Sequence, residues 1–197
     1  MTQKISLGVG LSLILAILAL WFSLNYLFTK NMNTTGGIAC LPTPIGREPV
    51  LVTTLGQGID GLLISEYLRD LHVFTVFRQK AEDDDLRDMR TLILVIGNEF
   101  NLDAEPKRQF SEERIRAKLL LKKAKEIKIP VVLVLLRNYP NLNNYDVSLF
   151  KEVLKDSNYV LMVGNQRLDN LLLGYKGYYT RVLRLQDLKV PLNSILR

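Results

Sequence analysis

The sequence predicts an α/β fold: a three-layer, doubly wound, mainly parallel five-stranded sheet of Rossmann-like or flavodoxin-like type, behind one N-terminal transmembrane helix. Three observations lead to this prediction. An apolar run without charged residues occupies residues 5–28. From residue 50 onward, short runs rich in β-branched residues alternate with helix-like stretches. The apolar runs are continuous rather than alternating, which is typical of parallel strands buried on both faces.

The N-terminal run is long enough to cross a membrane. It extends from Ile5 to Phe28 between Lys4 and Lys30. A bilayer core requires roughly 20 apolar residues in a helix, whereas a secretory signal peptide has an apolar core on the order of 7–15 residues. We therefore expect residues 1–30 to form an uncleaved anchor, with cleavage as the alternative. The positive-inside rule then favours a single-pass protein of the cell membrane with its soluble domain outside the cytoplasm.

Residues 31–48 are expected to form a flexible linker, because they are polar and contain Gly and Pro throughout. The folded domain is expected at 49–197. Cys40 is the only cysteine, so no intramolecular disulfide is possible. The net charge of the chain is +6, and residues 31–197 retain 24 basic against 20 acidic residues, a mild excess that suits a domain beside anionic lipid. No nucleic-acid partner is expected, because the predicted sheet lacks the combination of aromatic and basic residues that binds RNA.

The predicted elements alternate along the domain. Strands are expected at Val50–Thr54, Val73–Phe77, Thr91–Ile96, Val131–Leu136 and Tyr159–Val163. Helices are expected at 59–70, 83–89, 111–128 and 145–156. The tail, residues 171–185, is expected to form a last helix, a glycine turn and an edge strand at Thr180–Leu185. The alternative is a rim for a partner or the bilayer surface, formed by Tyr175, Tyr178 and Tyr179 with Lys176 and Arg181.

The long helix at 111–128 has the clearest signals, with Ser111 as the expected N-cap and Pro130 after its end. The residues expected to face the sheet are Ile115, Leu119, Ala124 and Ile127. The helix also carries a basic stripe formed by Arg114, Lys118, Lys122 and Lys125. We interpret this stripe either as a solvated helix face or as a contact for anionic headgroups or an acidic partner.

A glycine-rich loop follows the first strand, in the spacing G-x-G-x-x-G formed by Gly56, Gly58 and Gly61. Ligands of open α/β sheets bind at the carboxyl ends of the strands, and a helix N-terminus there favours an anion. A dinucleotide site would also need an acidic residue about 20 residues further on. Arg78 stands there instead, with Lys80 nearby, which is compatible only with the 2′-phosphate of NADP. The alternatives are a turn that the sheet requires, or a site for another small polar or anionic ligand.

The loops that follow strands one, three and four contain the candidate ligand-binding residues: Gly56, Gln57, Gly58, Asp60, Gly97, Asn98, Glu99 and Asn138. Glycines permit close backbone approach, and amides supply neutral donors and acceptors. Asp60 is expected to order the loop, for example by capping the helix. No catalytic residue and no metal site is predicted. His72 is interpreted as a boundary residue, and Asp83-Asp84-Asp85 as the acidic start of a helix.

The chain resembles a small prokaryotic family of unknown function. The segments that carry the resemblance are "PVLVTTLGQGIDGLLI" (49–64), "DLRDMRTLILVIGNEF" (85–100) and "KAKEIKIPVVLVLL" (123–136). Members have an opening strand, a Gly-Gln-x-x-Asp turn and a third strand like "LILVIG", and many have an N-terminal signal or anchor segment. The resemblance implies a Rossmann-like fold and supplies no activity.

These observations leave three functional hypotheses. The first is a membrane-anchored, non-enzymatic binding or accessory domain that recognises a small polar or anionic ligand, or a membrane protein partner, at the carboxyl edge of the sheet. The second is an NADP-binding reductase-like domain that acts with another subunit. The third is a structural subunit of a membrane complex.

Overall fold

Six parallel strands form one sheet. The computed structural model describes residues 40–97, 106–136 and 142–197, together with Ala19. The strands are β1 (Val50–Leu55), β2 (Thr75–Phe77), β3 (Thr91–Ile96), β4 (Val131–Leu135), β5 (Tyr159–Val163) and β6 (Tyr178–Val182). Their order is β2-β1-β3-β4-β5-β6, and every neighbouring pair is parallel. The first five strands follow the order of flavodoxin-type sheets, in which the switch point lies between β1 and β3.

Helices cover both faces of this sheet. The α-helices are α1 (Asp60–Asp70), α2 (Pro106–Glu126), α3 (Asn144–Leu154) and α4 (Lys189–Leu196). Short 3₁₀ helices occupy Asp83–Leu86, Gln166–Leu172 and Leu185–Leu188. Cys40–Arg197 form one compact unit.

The core consists of two apolar layers, one on each face of the sheet. On one face, Leu94 of β3 belongs to a buried cluster with Leu120 of α2 and Phe150 of α3. On the other face, Ile93 belongs to a second cluster with Leu68 of α1 and Leu192 of α4. Because successive side chains of a strand point to opposite faces, the continuous apolar run of β3 serves both layers. The predicted α/β class with a parallel sheet is confirmed.

The predicted number of strands is wrong, because the sheet has six strands rather than five. The additional strand is β6, which pairs in parallel with β5 from Tyr159↔Tyr178 onward. It begins two residues before the expected edge strand at Thr180–Leu185. The Tyr159 hydroxyl donates to the Thr180 hydroxyl inside the core, and burial raises the pKa of Tyr159 to about 12. This polar contact fixes the edge strand onto its neighbour.

The N-cap prediction for the long helix is also wrong. Helix α2 begins at Pro106, so Ser111 lies inside it. Proline is favourable in the first turn because its missing N–H has no helical partner there. The expected helix at 83–89 is only the 3₁₀ turn Asp83–Leu86, closed by reciprocal bonds between Glu82 and Asp85.

The face of α2 that packs on the sheet differs from the predicted face. Of the four residues expected to face the sheet, only Ala124 is buried, whereas Ile115 is 60% exposed and Leu119 is 48% exposed. Ile127 is exposed as well. The buried face consists of Glu113, Ala117, Leu120, Leu121 and Ala124. The two alanines of this face allow the helix to approach the sheet closely. The sequence spacing of its residues matches the helical repeat as well as the spacing on the predicted face does.

The basic stripe on α2 is mostly paired within the domain. Arg114 contacts the Glu152 carboxylate of α3 at 2.6 Å and Lys118 contacts it at 3.1 Å. Lys122 lies 4.0 Å from Glu126. Arg114 and Lys118, the N-terminal half of the stripe, therefore join α2 to α3.

No helix in the described ranges combines the length and the apolar character that crossing a membrane requires. The predicted anchor at 5–28 lies outside those ranges, except for Ala19. The anchor remains a prediction.

Glu152→Gln tests the contact between α2 and α3. The Arg114 guanidinium holds the pKa of Glu152 below its ordinary value, chiefly through their hydrogen bond. A carboxylate with a lowered pKa stabilises the folded state above its unfolded pKa, near 4.3, and loses this effect as the pH falls. We expect the substitution to lower the free energy of unfolding by about 0.5–1 kcal/mol at pH 7, since the pair is partly solvated.

The difference between the two proteins should shrink as the pH falls below about 5 and vanish once Glu152 is protonated in the folded state. Chemical denaturation followed by circular dichroism at several pH values measures it. Lys151→Gln, an exposed position on the same helix, is the control. A difference that persists at the lowest pH would contradict the assigned role of Glu152.

Candidate functional site

The candidate site lies at the carboxyl ends of β1 and β3, where a flavodoxin-type sheet has its switch point. The glycine loop connects β1 to α1, as predicted. Gly97 follows β3 and faces this loop. The Gly58 N–H donates to the Gly97 carbonyl at 2.8 Å. A direct backbone contact therefore closes the crevice in which ligands of such sheets usually bind.

The glycine spacing is explained by contacts within the domain. A Cβ atom on Gly58 would lie 2.7 Å from the Gly97 carbonyl oxygen, and one on Gly97 would lie 2.8 Å from Thr54 Cγ2. A Cβ atom on Gly61 would collide with the Thr54 hydroxyl. Gly56 has φ 108°, a backbone conformation that favours glycine. Each glycine of the motif is thus required by the turn itself.

Three backbone donors of the loop are used by other protein groups. The Gly56 N–H donates to Glu113 Oε2 at 3.1 Å, and the Gly61 N–H donates to Thr54 Oγ1 at 3.1 Å. The third is the Gly58 N–H, which the Gly97 carbonyl occupies. The sequence predicts that Gly58 lets a ligand approach the backbone. In the structure, the Gly58 N–H already donates to a protein carbonyl.

Glu113 brings a negative charge into the place where a phosphate would bind. Its side chain is 11% exposed and forms an ion pair with Arg116, one turn further along α2, at 2.6 Å. A pyrophosphate next to the Gly56 N–H would meet this carboxylate at close range, in a partly buried setting where like charges repel strongly. The residues present do not fit the phosphates of NADP.

Arg116 connects three segments at this edge. Its guanidinium donates to Thr53 Oγ1 at 3.2 Å, to the Ala81 carbonyl at 3.0 Å and to the Thr54 carbonyl. The Thr53 hydroxyl in turn accepts from the Ala81 N–H and donates to the Gln79 carbonyl. Helix α2, β1 and the segment after β2 are held together by one side chain.

The short strand β2 explains why Arg116 is needed. β2 ends at Phe77, and the last bond of this pairing runs from the Arg78 N–H to the Val52 carbonyl. Carbonyls two residues apart point to the same side of a strand, so the Thr54 carbonyl also faces the β2 side. No strand residue reaches it there, and the Arg116 guanidinium donates to it instead. A buried carbonyl is thereby satisfied.

The two distinctive polar residues of the loop have separate roles. Gln57 is half-buried, and its amide donates to Gln109 of α2 at 3.1 Å. The Gln79 amide approaches the Gln57 carbonyl at 3.4 Å. Asp60 is the first residue of α1, after the N-cap residue Ile59, and its charge there favours the helix N-terminus. Its carboxylate lies against Gly97.

The remaining predicted site residues, Asn98, Glu99 and Asn138, lie outside the described part of the chain. The structure brings together Gly56, Gln57, Gly58, Asp60 and Gly97. Within the described ranges, no group of three or more His, Cys, Asp and Glu residues is placed to hold a metal ion. His72 is exposed in the turn after α1, with φ 57°.

Glu113 and Arg116 are the site residues that the sequence prediction missed. They share the helix face of Ala117, Leu120 and Ala124. Had the helix phase been assigned from these small and apolar residues, the charged pair would have been predicted to face the sheet. The face that was predicted instead contains Ile115 and Leu119.

The match to known proteins extends over almost the whole domain. Residues 47–196 match DUF6305, a family described as a domain of unknown function. The chain is a member of the DUF6305 family. The resemblance to an uncharacterised family is thus confirmed. No curated protein matches the chain.

Beside the closed loop, this DUF6305 domain has an open groove of about 420 Å³. Ile115 and Leu119 of α2 contribute its apolar side, one helical turn apart and both about half exposed. Its polar lining consists of Glu82, Asp83, Glu112 and Arg116. The Arg116 guanidinium is committed to Glu113 and to β1, and Glu112 forms an exposed ion pair with Arg108 at 3.0 Å. The remaining acidic side chains of the groove are Glu82 and Asp83.

Gly58→Ala tests the closed crevice. The added Cβ meets backbone atoms of Gly97, which cannot move aside without disturbing β3. We expect a loss of about 1–3 kcal/mol in the free energy of unfolding, the usual cost of overpacking. Chemical denaturation measures it, with Ile59→Ala at the exposed neighbouring position as the control. An unchanged stability would mean that the Gly58–Gly97 contact is dispensable and that the crevice opens readily.

Glu113→Ala tests the role of the internal carboxylate. It leaves the largely buried Arg116 guanidinium and the Gly56 N–H without their partner. We expect a loss of about 3 kcal/mol in the free energy of unfolding, as for other broken buried pairs. The single variant Arg116→Met also leaves the Thr54 and Ala81 carbonyls without their donor. We expect the double variant Glu113→Ala/Arg116→Met to lose less than the sum of the two single losses, because both substitutions break the same ion pair. A double variant that loses the sum of both single losses would contradict their coupling.

Proposed function

We propose that this protein is a membrane-anchored, non-enzymatic accessory domain that binds a membrane protein partner beside the carboxyl edge of its sheet. In this proposal residues 5–28 span the cell membrane once and hold the 49–197 domain outside the cytoplasm. The uncharged run between Lys4 and Lys30 supports the anchor. The weak positive-inside signal at Lys4 supports the orientation.

The single observation that carries the binding proposal is the exposed apolar pair in the groove. Ile115 and Leu119 are large apolar residues one turn apart on a helix, a pattern typical of a buried face, yet they remain 60% and 48% exposed. Burying such a pair against a partner contributes roughly 1.5–3 kcal/mol per fully buried side chain. The groove thus offers binding energy that the domain does not use for its own folding.

The charge around this pair selects the partner. Glu82, Asp83 and Glu112 line the same groove. A partner segment with apolar side chains flanked by Lys or Arg would complement both features. Among the ligands that the sequence allows, a protein segment is favoured over a small anion, because the N–H groups of all three glycines in the loop already donate to protein groups.

Both alternative hypotheses make different demands on the site. An NADP-binding reductase-like domain needs free donors in the glycine loop, where Glu113 now stands. A structural subunit of a membrane complex needs only a surface for its partner, and is a special case of the present proposal when the complex is permanent.

Photo-crosslinking in native membranes tests the proposed function. The full-length chain carries a photoreactive amino acid at position 115, and one discrete crosslinked product is expected. A second substitution, Leu119→Ser, should reduce its yield about tenfold, since losing one buried leucine contact corresponds to about 1.4 kcal/mol. The control is the same probe at Leu183, which is 70% exposed near the other edge of the sheet.

Two results would contradict this proposal. A product that also forms from position 183, or that is indifferent to Leu119→Ser, would show non-specific contact. A saturable rise of nicotinamide fluorescence, when NADPH is added to the full-length protein in detergent, would favour the reductase-like alternative.

A further inference from the structure

We propose that the amino edge of the sheet is a second functional surface, which contacts the anionic headgroups of a lipid bilayer. This edge lies opposite the groove and the glycine loop. It is formed by the segments that lead into β1, β3, β4 and β6. The evidence consists of its charge, its exposed apolar groups and the path of the chain across it.

The charge of this surface is strongly positive. Two adjoining depressions of about 660 and 620 Å³ open here and share Ile45, Lys128, Ile129 and Pro130. Five basic side chains line them against two acidic ones, Asp88 and Asp156. The five are Arg47, Arg87, Arg90, Lys125 and Lys128, which we call the basic amino edge.

These cations are not used for folding. Arg87 lies 3.7 Å from Asp84, with both side chains largely exposed. In the described ranges, the other four side chains have no ion pair and no hydrogen bond. By contrast, Arg114 and Lys118 of the basic stripe on α2 are paired with Glu152. The charge available to an external anion is therefore at this edge, which includes Lys125 at the end of the stripe, rather than at Arg114 and Lys118.

Apolar groups accompany the cations. Ile127 is 37% exposed and lies next to Lys128, and Tyr178 at the start of β6 is 46% exposed. A tyrosine beside lysines and arginines is the composition of protein surfaces at the headgroup level of a membrane. Basic residues alone would serve any polyanion, whereas this combination favours an interface with an apolar interior behind it.

The path of the chain leads from the predicted anchor to this same edge. The Leu41 N–H donates to the Ser194 hydroxyl, and the Arg47 N–H donates to Thr91 Oγ1 at the start of β3. Residues 41–47 therefore cross the amino edge before β1 begins. If residues 5–28 span the bilayer, residues 29–39 tether this edge by at most roughly 40 Å of extended chain, at about 3.6 Å per residue.

Tethering and charge act together. Each basic residue near an anionic membrane surface strengthens binding roughly fivefold, and the tether raises the effective concentration of the surface. We infer that the basic amino edge lies on the bilayer and that the acidic groove, at the other end of the strands, is thereby presented away from it. This inference rests on the anchor in the proposed function but not on the partner.

The test uses the full-length chain in lipid vesicles. A fluorophore is attached at Ile127→Cys in a Cys40→Ser background, and the lipids carry a nitroxide quencher at the headgroup. We expect stronger quenching in vesicles of phosphatidylcholine with phosphatidylglycerol than in phosphatidylcholine alone. High salt should abolish this difference in quenching, because it screens the interaction between exposed charges. The same fluorophore at Ile59→Cys, beside the glycine loop, should show little quenching in either lipid.

The decisive variant combines Arg47→Gln, Arg90→Gln and Lys128→Gln, three exposed positions. We expect it to lower the ratio of surface-bound to released domain at least about tenfold. The matched control removes the same charge from the carboxyl edge through Arg78→Gln, Lys80→Gln and Arg167→Gln, and should leave the ratio unchanged. Thermal unfolding by circular dichroism verifies that both variants fold. If the first triple variant does not fold, Arg90→Gln/Lys125→Gln takes its place.

Several outcomes would overturn the inference. Quenching that does not depend on phosphatidylglycerol, or an equal loss in the control variant, would remove the role of the basic amino edge. Loss of the difference in inorganic phosphate at constant ionic strength would identify a soluble-anion site instead. Flotation separates failure of the anchor from failure of this surface: a chain that floats only with anionic vesicles lacks the anchor but supports the surface contact, and a chain that floats with neither overturns both.

Discussion

The ion pair between Glu113 and Arg116 is the interaction on which the arrangement of the carboxyl edge depends. One member binds the first N–H of the glycine loop, and the other binds two residues of β1 and the segment after β2. These contacts fix both the height of helix α2 along the sheet and its rotation, and the rotation determines which of its residues face outward. The exposure of Ile115 and Leu119, and with it the groove, follows from the positions that these two charges take at the sheet.

The glycine loop shows how one spacing can serve two chemistries. In nucleotide-binding domains, such glycines leave backbone donors open for a phosphate at a helix N-terminus. In this DUF6305 domain, the lack of side chains instead brings Gly58 against Gly97. The Glu113 carboxylate accepts from the loop where a phosphate would otherwise bind. The electrostatic preference of the loop for a negative charge is retained, but it is satisfied from within. Fold and motif together therefore do not define a function, whereas the partners of each donor do.

The sequence predicted the sheet better than the site for a physical reason. Strands buried on both faces have continuous apolar runs, so β1, β3, β4 and β5 were found within one residue at each end. Strand β6 carries Tyr178 and Arg181 among its five residues, because an edge strand is partly exposed, and it was not counted in the sheet. On α2, two faces carry apolar residues, and periodicity alone does not say which one the sheet takes. The buried charged pair was missed with that choice, because charged residues are usually exposed.

Arg116 also has a consequence for how the protein behaves at high concentration. An unpaired stretch of backbone at the side of a sheet is a template on which another chain can add a strand, and natural proteins protect such edges with charge or with very short strands. β2 is very short, and the backbone of β1 beyond it is covered by a guanidinium group rather than by a neighbouring strand. The charge that satisfies one carbonyl thus also blocks strand addition there. The domain therefore exposes an apolar groove nearby, while this edge of the sheet is protected against the addition of a strand from another chain.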